Sequence, residues 1–371
     1  MKKNVLNILF VLFISFEFNA QTVSTYTDGT PDDGLAIDSN GNLYASHFTG
    51  DTVFKYDSEG NGTPFITGLN TPNGLAFDSN DNLFVCDFSG QTIYKYDNNG
   101  ILLASFSGIV NPSGLIKSFN SDAMIFTNYT NNSIYRLAID GVIALVSADP
   151  QLNGPVGLAY DENGVLYAGN YNDRKIYKIL NDGTAIYIAQ LPTDGGALPN
   201  LGFITYAQGR IWGTTMGSDK IYSINPNGVD DYVLFAGGIA GSLDGDISIA
   251  TFTTPNGIIF NDSEDIMYIT DFGTKNIRKI SGVILSVNEQ NLKDKEFIMF
   301  PNPARDILTI KPINFQGNEY SLHIYDNNGR SIYFSEYERN NTVISTQNWA
   351  KGVYIVKIIS RNFTISKSIL K

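Results

Sequence analysis

The sequence predicts an all-β protein, a six-bladed β-propeller followed by a small β-sandwich. Three observations carry that prediction. Gly34, Gly74, Gly114, Gly157, Gly202 and Gly257 open copies of one motif and lie 40, 40, 43, 45 and 55 residues apart. Behind each glycine, three strand-like runs recur in the same order. After residue 280 the copies stop, and longer alternating strands take over up to Lys371.

The chain begins with Lys2 and Lys3, then an apolar run from Val5 to Phe16, and Asn19-Ala20-Gln21 places a small residue before a cut. The run is shorter than the roughly 20 residues that a helix needs to span a bilayer. Residues 1–20 therefore read as a signal peptide, and the mature chain is expected to hold no transmembrane segment. The single cysteine, Cys86, excludes a disulfide framework and a Cys-ligated zinc site, and its place inside a strand predicts a buried small residue.

The copies read DDGLAID, PNGLAFD, PSGLIKS, PVGLAYD, NLGFITY and PNGIIFN. Second strands follow as NLYASHF, NLFVCDF, MIFTNY, VLYAGNY, RIWGTTM and IMYITDF, and third strands as VFKY, IYKY, IYRL, IYKI, IYSI and IRKI. In the second copy the runs are Gly74 to Phe77, Leu83 to Cys86 and Thr92 to Tyr96. Three strands and a weaker fourth with a period near 40 describe radial blades, because a solenoid carries one strand or a helix pair per repeat. Strands two and three are apolar on both faces, as expected of small sheets sandwiched between neighbours. Closing such a ring needs one chain end to complete the sixth blade. Val23 to Tyr26 and Val283 to Val287 both suit that slot. Trp212, in the middle of a second strand, is expected in the core.

With the spacer FAGGIAGSLDGDISIATFTT from Phe235 to Thr254, and IIFNDSEDIMYITDFGTKNIRKI after Gly257, residues 21–285 resemble the NHL repeat. The resemblance implies a six-bladed propeller, a fold shared by binding scaffolds and enzymes, so function rests on the site. Residues 286–296 are polar and charged and read as a linker. From Phe300-Pro301-Asn302-Pro303 onward come the Tyr325-Asp326-Asn327-Asn328-Gly329-Arg330 hairpin, Gly352-Val353-Tyr354 and a basic end. Residues 297–371 thereby resemble the type A sorting domain of the type IX secretion system. That implies the type IX secretion machinery as a partner and a protein that is secreted, extracellular or held at the cell surface.

Strands one and two of a blade run antiparallel, so the start of one and the end of the other share a face of the ring. The residues before the opening glycines are Asp33, Asn73, Ser113, Val156, Leu201 and Asn256. The strand-two ends on that face are His47, Asp87, Asn128, Asn170, Thr215 and Asp271. Polarity concentrates in Asn256, Asp271, Asp33, His47, Asn73 and Asp87, which become neighbours once the ring closes and form the candidate ligand-binding face. Asp33, Asn73 and Asn256 supply oxygens of the kind Ca²⁺ or another divalent cation takes. The competing reading has these groups bonding blade connections, with Asp87 and Asp271 held by backbone of the next loop. Phe48, Phe88, Tyr129, Tyr171 and Phe272 follow the strand-two ends; they suit stacking on a sugar or peptide, or wedging neighbouring blades apart.

Propeller lactonases of the gluconolactonase type hold a divalent metal at this before-glycine position, and Asp33 matches their first-blade acidic ligand. Val156 and Leu201 depart from that pattern. His47 is the one histidine of the repeat region, which excludes the multi-histidine zinc site of NHL-type amidating lyases. The Asp38-Ser-Asn-Gly-Asn and Asp78-Ser-Asn-Asp-Asn runs start like EF-hand loops but carry Leu43 and Leu83 where the loop needs glycine, so they read as hairpin turns. A formal charge of −12 argues against nucleic acid as a partner. The expected function is binding of a glycan, peptide or small molecule at one face of the ring. The alternatives are a metal-dependent lactonase-like hydrolase and a structural or adhesive surface protein.

Overall fold

The computed structural model describes residues 21–193, 200–283, 296–313, 320–326, 330–338, 341–360 and 363–371. The expected signal peptide, nearly all of the linker, most of Val283 to Val287 and the Asn327-Asn328-Gly329 turn lie outside them. The chain divides into two compact units, Met1–Ile284 and Leu285–Lys371.

The first unit is a series of small antiparallel sheets. In chain order, the first holds Leu35–Ile37, Leu43–Ser46, Val53–Tyr56 and Gly62–Ile66; the second holds Pro72–Phe77, Leu83–Asp87, Thr92–Tyr96 and Leu102–Ser107. The third, fourth and fifth begin with Pro112–Lys117, Pro155–Tyr160 and Leu201–Ala207 and repeat the same four-stranded meander. The sixth has five strands. Pro255–Phe260, Ile266–Asp271 and Asn276–Ser281 are joined by Thr22–Thr27, which pairs with Asn276–Ser281, and by Gly245–Asp246 on its outer side. Of the two segments suited to the closing slot, the N-terminal one fills it.

The core of this unit lies between sheets. Ala36, Tyr44 and Val53 of the first sheet pack on Leu75, Leu83 and Val85 of the second. Phe84 and Cys86 of the second pack on Met124 and Phe126 of the third. Leu35, Leu43 and Tyr56 of the first also pack on Ile277 of the sixth. Each strand-two side chain so buried contributes about 1.5–3 kcal/mol, which is why both faces of these strands are apolar. Cys86 and Trp212 are fully buried as expected, and Trp212 Nε1 donates to the Ala207 carbonyl at 3.0 Å.

The opening glycines serve close approach. A β-carbon on Gly34 would collide with the Asn73 carbonyl oxygen, on Gly74 with that of Ser113, and on Gly257 with that of Asp33. Buried hydroxyls pin the same joints: Ser46 Oγ donates to the Asn73 carbonyl and Thr270 Oγ1 to that of Asp33, each at 2.7 Å. The contacts thus return from the sixth sheet to the first. A cavity of about 230 Å³ is lined by the innermost strands, from Gly34 through Leu75, Leu115 and Ile258 to Phe77 and Lys117.

The second unit has a three-stranded sheet, Glu296–Phe300, Ile307–Ile313 and Thr342–Ser345, and a four-stranded sheet of Ser331–Glu338, Tyr320–Asp326, Val353–Ser360 and Phe363–Leu370. Phe297, Leu308 and Ile310 of one share a buried cluster with Leu322, Ile324 and Val356 of the other.

Candidate functional site

Strand register sets the site. Pro72 pairs with Asp87, Pro112 with Asn128, Pro155 with Asn170 and Pro255 with Asp271, so the strand-two ends and the starts of strand one share one end of each sheet. In the second sheet the register skips between Pro72 and Leu75, which leaves Asn73 and Gly74 in a bulge. The sixth repeats it with Asn256 and Gly257.

The fifth sheet corrects one expectation. There Leu201 pairs with Thr215 and Ile204 with Gly213, so Leu201 takes the proline position and is fully buried. Gly202 takes the before-glycine position and Phe203 the place of the glycine. Aligning glycine with glycine slides this copy by one residue, and the fifth sheet brings no side chain to the mouth.

Asp33 and Asn256 do come together: Asn256 Nδ2 donates to Asp33 Oδ1 at 2.5 Å, with both residues buried. Burial, and then the charge of neighbouring Asp32, push the Asp33 carboxyl well above its ordinary range, against the bond from Asn256. Asp33 Oδ2, Asn73 Oδ1 and Ser113 Oγ are buried without a hydrogen-bond partner. These three atoms belong to the same register position of three consecutive sheets. Val156 holds that position in the fourth sheet and is buried.

The strand-two candidates are occupied differently. Asp87 accepts from the Asn70 amide at 2.9 Å, and both Asp271 oxygens accept from the Thr253 amide at 2.8 and 2.9 Å. Burial raises both carboxyls, Asp271 to about 7, against these backbone bonds. His47 is half-buried, with its ring against Gly50 of its own turn. Asp38 accepts from the Asn40 and Asn42 amides, as expected of a hairpin turn.

Asp32 was missed in the sequence. It is fully buried, accepts from the Phe48 amide and Thr49 Oγ1 at 2.6 Å each, and pairs with Lys275 Nζ at 2.6 Å. Its signal was an aspartate where four of the other five copies carry proline. Among the described residues no three His, Cys, Asp or Glu side chains converge. A cation at the mouth would thus rest on one carboxylate with amide and hydroxyl oxygens, which suits a hard ion.

Around the mouth the aromatic residues form an arc. Phe48 and Phe88 lie 5.7 Å apart between ring centroids, Phe88 and Tyr129 6.0 Å, and Tyr129 and Tyr171 5.9 Å. All four are half-buried. The arc stops at the fifth sheet, where buried Met216 follows the strand, and in the sixth Lys275 Nζ covers Phe272 at 4.0 Å from its centroid.

These features define an all-β repeat unit of propeller type. Residues 298–371 match the family described as the secretion system C-terminal sorting domain. The chain carries a type IX sorting domain, which directs it to secretion and to cell-surface attachment or extracellular release. Among solved structures, it is similar to a gluconolactonase from Xanthomonas campestris (18% identity, TM-score 0.55, 70% of this chain and 89% of that one). It is also similar to an auxiliary nutrient binding protein from Bacteroides ovatus (15%, 0.59, 71% and 76%). Virginiamycin B lyase from Staphylococcus aureus is a third (16%, 0.52, 70% and 98%). At these identities the likeness is one of fold. An endo-acting ulvan lyase of Formosa agariphila is 27% identical over 154 residues, which are 40% of this chain. The chain spans about a quarter of that relative's length, 27%. No helix among the described residues is long and apolar enough to cross a membrane.

Proposed function

We propose that residues 21–285 are a six-bladed propeller that binds a ligand at the mouth face, together with a divalent cation such as Ca²⁺. Residues 1–20 are its signal peptide, 286–296 its linker, and 297–371 a β-sandwich that delivers it through the type IX machinery. The observation that carries the reading is the set of buried, unpartnered acceptors on consecutive sheets, Asp33 Oδ2, Asn73 Oδ1 and Ser113 Oγ. Leaving such atoms without a donor or cation costs about 1–3 kcal/mol each. Asn256 orients the Asp33 carboxylate. A lactonase-like hydrolase is supported less, since Val156 and Gly202 offer no side-chain ligand atom where that class holds its metal.

The test is thermal melting of the full chain with and without millimolar Ca²⁺. A rise in melting temperature that Asp33→Ala abolishes is expected; an unchanged melt in the wild-type chain sinks the cation reading. Deleting residues 297–371 should leave the protein in the cell envelope, and normal export of the shortened chain would refute the delivery role.

A further inference from the structure

We infer that the ligand of the mouth face is an uncharged saccharide chain, lying off the ring axis across the first four sheets; this rests on the mouth being the ligand face. Two independent arcs occupy that sector. One is the row of half-buried rings Phe48, Phe88, Tyr129 and Tyr171, whose mutual contacts of 5.7–6.0 Å hold them in place before a ligand arrives. The other is a set of neutral polar pairs, each joining the loop before a first strand to the loop after a second. Thr71 Oγ1 donates to Ser89 Oγ at 2.7 Å, Thr130 Oγ1 to Asn111 Oδ1 at 2.7 Å, and Asn172 Nδ2 to Asn153 Oδ1 at 3.0 Å. Tyr129 joins the two arcs through its hydroxyl, which donates to Asn172 Oδ1 at 3.1 Å.

The sixth-to-first junction is chemically different, with the Asp32–Lys275 ion pair and a cation over Phe272. Half-buried aromatic rings flanked by exposed hydroxyls and amides suit the apolar C–H patches and hydroxyl edges of a pyranose. A protein of net charge −12 disfavours a polyanion by simple repulsion. A peptide would be taken most readily as an added strand on a sheet edge, but the mouth presents strand ends.

The test is calorimetric titration of the full chain, in chelator, with neutral hexasaccharides (cello-, laminari-, xylo- and mannohexaose), a polygalacturonate hexamer and an unstructured peptide. Working without metal separates this inference from the cation reading, which the Ca²⁺ melt addresses alone. At least one neutral hexasaccharide is expected to bind, and Tyr129→Ala to weaken it about tenfold, the share of an aromatic contact. Tyr129→Phe, which keeps the ring and loses only the bond to Asn172, should weaken it less. If Tyr129→Ala melts early, the exposed pair Ser89→Ala with Thr130→Ala replaces it and must also weaken binding. The inference is overturned by no neutral binding, by preference for the polyanion or the peptide, or by ring and rim variants that bind as the wild type does.

Discussion

The second and sixth sheets share a plan and differ in how the chain builds them. The second comes from one stretch, Pro72 to Ser107, while the sixth is assembled from residues 22–27, 245–246 and 255–281. Asp87 and Asp271 hold the same register position in the two. In the second sheet the mouth residue, Asn73, keeps an unpartnered acceptor. In the sixth, Asn256 is bonded to Asp33, and the outer side is tied down by Arg278, which is fully buried. Arg278 donates to the Thr251 carbonyl at 2.7 Å and pairs with Asp244 at 2.6 Å, and Asp244 also accepts from Thr25. The second sheet leaves its spare polar atom at the mouth position, whereas those of the sixth, Thr274 Oγ1 and Arg278 Nε, lie away from it, where the chain closes.

The comparison breaks most visibly if the N-terminal strand is removed. A chain starting at Asp28 leaves Asn276–Ser281 with an open edge, and loss of the cooperative melting transition is expected; an intact transition would mean that closure does not need this strand. Arg278→Ala comes next. It leaves the Thr251 carbonyl without its side-chain donor and Asp244 without its ion-pair partner, and should cost about 3 kcal/mol, measured by chemical denaturation.

Asp271 adds a pH dependence. Its folded-state pKa of about 7 stands above the ordinary aspartate value of about 3.9, so the folded state binds the extra proton between them. Stability should therefore fall as pH rises from about 4 to about 7 and level off above. Asp271→Asn is expected to flatten that slope, and an unchanged slope would assign it elsewhere. Asn73→Ala has the smallest effect on folding. It should leave the melting temperature without metal within a few degrees while reducing the shift caused by Ca²⁺.

Much of the fold was legible because close approach demands glycine, and the six opening glycines recur at near-constant spacing. The slip at Gly202 was not legible from that marker. Placing Ile204-Thr205-Tyr206 against Leu75-Ala76-Phe77 aligns the hydrophobic side chains and moves the glycine by one. The choice of closing strand was open because Val23 to Tyr26 and Val283 to Val287 are both short strand-like runs, one at each end of the repeat region. The mouth was legible as a position and not as a state. Whether Asp33 or Asn73 finds a donor depends on residues as distant as Asn256, 223 positions from its partner, and no local pattern records that.

The cavity along the axis has one further consequence. Its middle is walled by Leu75, Leu115, Ile204 and Ile258, with Lys117 and Thr205 toward the ends of the first strands away from the mouth. A hydrated ion or a sugar hydroxyl that reaches Asp33 meets hydrocarbon if it moves deeper and must shed water with nothing in exchange. The hydrocarbon stretch thus stands between the mouth and the far ends of the first strands. On the proposed reading, a polar ligand that enters at the mouth also leaves by it.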